Sequence, residues 1–541
     1  WKIMSRRQRL LEIACIFAVF FLDGAVLPPD VNEPYYLGKA LHLWNPQWAA
    51  GDFFLQTADT HKVFFWTCGW LGLWLSLPAM AWTIRLVTWT LLAWSWRRLS
   101  AVVAPQPWFS VLSAALFVFL LRRYHLAGEW VIGGAEAKPL AFVLVFLGLE
   151  ALLSNRWNRA WLLLGGASAV HVLAGGWTAI TAGLTWLMRP ADRPPLRAML
   201  ATLVLALVMS LPGLIPSLSL NRNLEPEVQQ KANEIYVYHR LKHHLDPLAI
   251  PGSFVLRFGG LVGVWFLLIW QYRHGRRTVA AGHVVRDEEG EDLEEVAWEA
   301  PSPVSRLQSF VNASLLIAAV GGLLGLLEYY DLELALALLR FYWFRMSDVA
   351  VPLGVSLLGC AILIDLLQHR ARLGMVWLTG VTVAVMLHLG VQAYQHTWNA
   401  DTQADQYQRS ALVAQHEAWR DVCDWIAGSG QIPPDARFLT PVMSQTFKWY
   451  TGRAEVVNWK EIPQDGRSIA EWWQRVKDVC GRGPNAPDEY WEYSLAELGA
   501  EKVRSLGEKY EASHVLTFCV PPLPLEVLYR NEAYAVYRLA P

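Results

Sequence analysis

The chain has 541 residues, 54% of them hydrophobic and only 17% charged, with a formal net charge of −1. Soluble domains carry about 25% charged residues, so this balance argues against an ordinary soluble protein. The near-zero charge gives no electrostatic argument for nucleic acid as a partner.

Lys2, Arg6, Arg7 and Arg9 precede a first apolar run from roughly Leu10 to Leu27. Basic flanks stay cytoplasmic, so the N-terminus is expected inside and the chain from residue 28 outside. No small-residue cleavage site follows, and the run reads as a retained anchor. Further spans are expected over 79–96, 107–122, 137–153, 197–216, 252–270, 306–327, 346–367 and 373–393. Residues 61–77 are apolar too, but a span there would put Arg97 and Arg98 outside. They read as a juxtamembrane helix in the outer interface. Residues 159–188 carry basic charge at both ends, with Gly165, Gly166, Gly175 and Gly176 inside. That pattern fits two short half-helices meeting at the glycines. Broken and in-plane segments included, roughly 9–12 membrane helices are expected.

Residues 1–396 thus form a membrane domain with outer loops at 28–62, 123–136, 217–250 and 328–345. The stretch 271–305 reads as a cytoplasmic loop, and its acidic core from Arg286 to Asp292 as disordered. From 397 to 541 the composition turns polar. Helices are expected over Ala411–Ile426, Ser468–Val479 and Leu495–Tyr510, and strands over Arg437–Thr440, Ala454–Val457, His514–Phe518 and Ala533–Arg538. This alternation predicts a small α/β domain, placed outside by the number of crossings. The fold class is therefore an α-helical polytopic membrane protein with a C-terminal extracytoplasmic α/β domain. Of the six cysteines, Cys15, Cys68 and Cys360 read as small buried hydrophobes. Cys423 and Cys480 could pair if their domain is extracytoplasmic, although spacing alone does not show it.

The stretch Asp30-Val31-Asn32-Glu33-Pro34-Tyr35-Tyr36 follows the first span directly. Ionisable residues beside a bilayer are costly and rarely idle. Glu33 also suits the first turn of a helix from Glu33 to Trp44, where the dipole stabilises a carboxylate. Asp30 reads equally as a solvated loop acid. Asp59, His61 and Glu136 are further polar residues of the outer loops, and Glu136 precedes Lys138 at a span boundary. Outer-side cations include Arg85, Lys138, Arg340, Arg345 and the pair His243-His244. Arg340 and Arg345 could equally snorkel to the interface. His243-His244 could hold a metal or touch phosphate, but no third ligand is fixed by sequence. His171 reads as a satisfied buried histidine, and Asp23 as an acid with an internal partner. In the polar part, the aromatics and lysines of Thr446–Tyr450 and Asn458–Pro463 could contact sugar, phosphate or an acidic acceptor, or simply pack a core. No Walker loop, GxGxxG, HExxH or GxSxG is present.

A Pro-Pro turn, an acid, a second acid three positions on, an aromatic pair and a short helix together resemble the first outer loop of the GT-C superfamily. These membrane glycosyltransferases use polyprenyl-phosphate sugars; protein O-mannosyltransferases and lipid A aminoarabinose transferases are members. The superfamily's juxtamembrane helices after the first loop resemble the layout inferred for 61–77. The resemblance covers about the first 400 residues. It implies an inverting transferase of a bacterial inner (cytoplasmic) membrane, with a polyprenyl-phosphate sugar donor, membrane lipid around it and a glycan, lipid or protein acceptor. Asp30 or Glu33 would be the base, with Asp30 preferred because Glu33 starts a helix. Arg85, Lys138, Arg340, Arg345, His243 and His244 would hold the donor phosphate, and Asp59, His61 and Glu136 the substrate. A divalent cation stays open as cofactor, because a carboxylate base and a carboxylate ligand look alike in sequence. The rival readings are a transporter or flippase for a lipid-linked glycan, and a non-catalytic scaffold.

Overall fold

The structure is a computed structural model and describes residues 4–281, 302–398, 416–480 and 494–539. The acidic segment Arg286–Asp292 and the start of the helix expected over Ala411–Ile426 lie outside the described residues.

Helix α1 (Arg6–Gly24) opens the bundle behind a Ser5–Gln8 capping box, which satisfies amides that a helix start leaves bare. The first outer loop folds into α2 (Glu33–Trp44), α3 (Phe53–Gln56) and α4 (Lys62–Cys68). A 3-10 turn over Gly69–Leu73 then leads into α5 (Leu77–Val103), so the expected helix over 61–77 is two short pieces. Next come α6 (Phe109–Tyr124), α7 (Ala137–Leu153), α8 (Trp157–Val170), α9 (Val172–Leu187) and α10 (Leu200–Ser219). Short helices α11 (Pro226–Glu234) and α12 (Lys242–Leu245) fill the next loop, with a π-helical turn over Ile235–Arg240 between them. The bundle closes with α13 (Gly252–Ala281), α14 (Pro303–Gly325), the short α15 (Leu332–Leu339), α16 (Arg345–His369) and α17 (Ala371–Trp398).

Five of these helices, α10, α13, α14, α16 and α17, are long and apolar enough to cross a membrane. The chain is an integral membrane protein. Its charged residues make internal ion pairs in two layers. One layer holds Arg97–Glu12 (3.0 Å), Arg98–Glu150 (3.2 Å), Arg189–Asp192 (2.7 Å) and Arg306–Asp192 (3.1 Å). The other holds Arg122–Asp23, Arg85–Glu33, Lys138–Glu129 and Arg345–Glu129. The apolar shafts between them pack around Trp89, Trp96, Phe117, Phe146 and Trp265.

The break between α8 and α9 falls at His171, not at the glycines. The His171 ring accepts the Ala174 amide at 3.2 Å and so caps α9. Gly175 serves packing instead: a Cβ there would come within 2.2 Å of the Ser168 amide nitrogen. His171 lies 5.0 Å, ring to ring, from His61 of the first loop, so the tip of this hairpin reaches the layer of the outer loops.

The C-terminal part is a five-stranded sheet in the order β2-β1-β3-β5-β4. The strands are β1 (Arg437–Leu439), β2 (Ala454–Glu455), β3 (His514–Phe518), β4 (Glu526–Arg530) and β5 (Tyr534–Arg538). The first three run parallel, and β5 and β4 complete the sheet antiparallel. Helices His416–Gly428, Gly466–Cys480 and Ala500–Tyr510 cover it. Strand β4 had no sequence expectation. The helix expected over Leu495–Tyr510 is interrupted at Gly499, whose φ of +80° suits glycine alone. Cys423 and Cys480 are buried in separate apolar clusters and are not bonded to each other.

The sheet domain is fastened to the first outer loop. Arg437 bonds the Gly51 carbonyl at 2.9 Å, and the Glu455 amide bonds Asp52 at 3.1 Å. Gln464 joins the Thr60 amide and the Tyr35 hydroxyl. At the other side of the seam Arg240 donates to the Trp459 carbonyl.

Candidate functional site

The acidic loop lies at that seam. Glu33 is wholly buried and fully engaged. Arg85 reaches it from α5 with two bonds, Nε to Oε1 at 2.6 Å and Nη2 to Oε2 at 2.7 Å. The Ala135 amide donates to Oε1 at 2.7 Å and the Asp30 amide to Oε2 at 2.8 Å. Arg85 also bonds the Val26 carbonyl. Glu33 therefore ties the first loop to α5 and to the 123–136 loop, and Arg85 is its counter-ion.

Asp30 stands beside this pair but outside it. Oδ1 accepts the Val31 amide at 2.7 Å, and Asp30 forms no ion pair among the described residues. Gly134 faces it so closely that an added Cβ would sit 2.9 Å from the Asp30 Cβ. Burial pushes the Asp30 carboxyl above the usual range and Glu33 adds to this, while Arg85 pulls the other way. Glu136, the N-cap of α7, accepts from the Asn32 side chain at 2.6 Å. Burial lifts its carboxyl to about 7 against the pull of Lys138 and Asn32, with Asp30 adding to the rise. Lys460, from the sheet domain, completes the group. Burial lowers its ammonium to about 7, helped by Arg240 and opposed by Glu136 and Asp30, whose charges reach it.

The outer cations expected at the site are largely committed. Glu129 holds both Lys138 (2.7 Å) and Arg345 (2.6 Å). The loop carrying Glu129 and Glu136 is itself pinned by Asp348 of α16, which accepts the amides of Leu126, Ala127 and Glu129 at 2.6, 2.9 and 3.2 Å. His244 bonds the Ala127 carbonyl at 2.5 Å and its ring is held far down, to about 3, chiefly by burial. His243 lies beside it with the two rings tilted by 45°, and among the described residues no group of three metal-binding side chains forms. Arg340 differs. It bonds Asn233 at 2.8 Å, lies over the Tyr236 ring and has no carboxylate partner among the described residues.

Asp59 and His61 form a separate cluster. Despite its burial, Asp59 is held below the usual range by Lys39 (3.5 Å) and His61 (2.8 Å), and it accepts from the Tyr35 hydroxyl at 2.5 Å. Gln464 closes this cluster from the sheet domain. In the same domain Lys448 is enclosed by Asp52, Glu455 and Glu461, so it is a buried tether and not an exposed contact.

The structure thus places Asp30, Glu33, Arg85 and Glu136 in one neighbourhood, with Lys138 and Arg345 joined through Glu129. Asp59 and His61 stand apart in the Lys39 cluster. Sequence reasoning passed over Glu129, Asn32 and Arg122. One signal for Arg122 was present: with Arg123 it ends a stretch expected as a span with that end outside, against the positive-inside pattern.

Residues 417–479 match a family described as a domain of unknown function (DUF6798). No curated protein matches the chain. Among solved structures, it is similar to the oligosaccharyltransferase AglB of Archaeoglobus fulgidus in complex with an inhibitory peptide and a dolichol-phosphate. That likeness has a TM-score of 0.41 at 11% identity and covers 94% of this chain and 69% of that one. The apo form of the Archaeoglobus fulgidus oligosaccharyltransferase gives 0.42 at 12% identity, over 95% and 70%. Its complex with Zn and sulfate gives 0.42 at 11%, over 94% and 68%. At such scores these likenesses assign no function, and the reading below rests on the site itself.

Proposed function

We propose that the protein is a GT-C-type membrane glycosyltransferase, moving a sugar from a polyprenyl-phosphate donor to an acceptor hydroxyl at the outer membrane face. The observation that carries this is the buried Asp30, free of any ion pair among the described residues, held beside the Glu33–Arg85 pair and beside Glu136, which Asn32 bonds at 2.6 Å. Asp30 is the base. It has no cation locked to it, and its raised pKa makes the ionised form a stronger proton acceptor. Its carboxylate takes the acceptor's O–H proton as that oxygen attacks the anomeric carbon. The bond from that carbon to the donor phosphate breaks, and the electron pair leaves with the phosphate. Attack opposite the leaving phosphate inverts the anomeric centre. Glu136 and Lys460 place a second acid and an amine, both titrating near neutrality, beside the reacting hydroxyl. The Glu33–Arg85 pair holds Asp30 in position through its amide. Lys138 and Arg345 are held by Glu129 and leave one net positive charge there, which adds to the field felt by the departing phosphate without a direct contact to it. The basic residues before α1 support an N-terminus on the cytoplasmic side with the sheet domain outside, and we place the protein in a bacterial inner membrane.

The test is purified protein in nanodiscs with a panel of labelled polyprenyl-phosphate sugars and added divalent cation. Sugar transfer that D30N removes supports the reading. Movement of intact donor between leaflets without transfer would make the protein a flippase instead.

A further inference from the structure

This inference rests on the proposed function and deepens it: it concerns where the donor phosphate sits. The cations expected from sequence to hold it are spent on Glu33 and Glu129 or lie away from Asp30. A cavity of about 230 Å³ nevertheless opens beside Asp30, between the ends of α1 and α6 and the 125–133 loop. Its polar walls are Asp23, Asp30, Arg122, His125 and Glu129, of which Asp23 is paired with Arg122 and Glu129 with Lys138 and Arg345, and Val118 and Leu121 give it an apolar floor.

Arg122 uses Nε and Nη2 on Asp23, at 2.9 Å to the carboxylate and 2.8 Å to the carbonyl. Its side chain stays about a third exposed, at 36%. That pair fixes the guanidinium plane while leaving Nη1 without a protein acceptor among the described residues. The His125 Nδ1 is buried and likewise has no hydrogen-bond partner. Phe254 backs the His125 ring, and Arg257, over that Phe254, adds a further positive charge. The amides of Trp130 to Gly134 also find no acceptor among the described residues, and three of those residues, Trp130, Ile132 and Gly133, line the cavity. Buried donors without acceptors are costly, and convergent donors of this kind suit an anion.

From this geometry we propose that the α1/α6 cavity binds the phosphate of a polyprenyl-phosphate lipid, through Arg122, His125 and the 130–134 backbone. The apolar residues of α6 beneath it run toward the membrane interior, so the prenyl chain leaves along α1 and α6 while the phosphate stays by Asp30. The site reads phosphate attached to an isoprenoid, not bulk anionic lipid.

The test measures binding, with no need for turnover. Wild-type protein in zwitterionic nanodiscs is titrated with a short polyprenyl phosphate, its parent alcohol and inorganic phosphate, following Trp fluorescence. A parallel set uses nanodiscs containing phosphatidylglycerol. The expected result is that the lipid phosphate binds at least roughly tenfold tighter than either fragment, even with phosphatidylglycerol present. R122Q and H125Q each weaken it by roughly tenfold or more, and R122K, which keeps the charge against Asp23, recovers most of the loss. Unfolding temperatures of all variants are read alongside, and H125Q carries the test if R122Q fails to fold. Equal binding of alcohol and phosphate, competition by phosphatidylglycerol, or unchanged affinity in R122Q and H125Q would overturn the proposal. If binding behaves as expected but no sugar transfer is found, the cavity stands and the transferase reading falls. If transfer occurs while R122Q keeps wild-type affinity and KM, the reverse holds.

Discussion

Replacing Glu33 separates a structural acid from a catalytic one. Its carboxylate accepts two bonds from Arg85 and one amide each from Ala135 and Asp30, in a site with no exposed surface. Hydrogen bonds to charged groups contribute about 1.5–3 kcal/mol each, and removing one partner of a buried pair costs about 3–5 kcal/mol because the other charge is stranded. E33Q and R85Q should therefore each destabilise the protein by about 3–5 kcal/mol. A double replacement, E33L with R85M, should recover much of this because no buried charge remains. D30N should leave stability nearly unchanged, since Asp30 forms no ion pair among the described residues. Thermal unfolding in detergent, with a double-mutant cycle on the two positions, gives the coupling energy. An E33Q protein as stable as wild type, yet inactive, would refute the structural role and return Glu33 to the chemistry.

Glu136 titrates near 7 because it is buried. Its folded pKa lies above the ordinary carboxylate value, so the stability it adds is full below about 4.5 and fades as pH rises through about 7. E136Q should flatten the stability curve across that window, as read by unfolding temperature at stepped pH. Three carboxylates surround Lys448, and burial with the adjoining Glu455 and Asp52 pushes Glu461 upward, against the pull of Lys448. Stability should thus fall as pH rises from about 4.5 through about 8, and fall less in E461Q; identical pH curves would contradict the cluster. D348A removes the acceptor for three amides of the 123–136 loop and should cost about 2–4 kcal/mol, with slower transfer from the loosened Glu129 and Glu136. Cys423 and Cys480 are not joined by a disulfide, so reductant should leave the unfolding temperature unchanged.

The fold was legible where one physical signal dominated. Apolar length located the five helices over 200–219, 252–274, 303–329, 345–369 and 371–396, and the helix expected from Glu33 to Trp44 is α2. The break in 159–188 was legible but misplaced. Gly175 looks like a helix breaker in sequence, while in the structure it admits the neighbouring backbone and His171 does the capping. At the site, the acids were visible but their partners were not. Glu33 meets Arg85 across 52 residues, and Glu129 meets Arg345 across more than 200, and no local pattern encodes such pairing. Lys460 was visible as a lysine among aromatics, but only the seam with the sheet domain brings it to Asp30 and Glu136. The alternating strands gave the α/β class, whereas the half-exposed β4 lacks the buried run that would have marked it.

The most direct test is the single-turnover rate of D30N with a saturating polyprenyl-phosphate sugar and acceptor, on protein shown to be folded by its unfolding temperature. Loss of a positioned general base predicts a fall of about 10²–10⁴-fold with donor binding retained. Transfer by D30N at the wild-type rate would contradict the account.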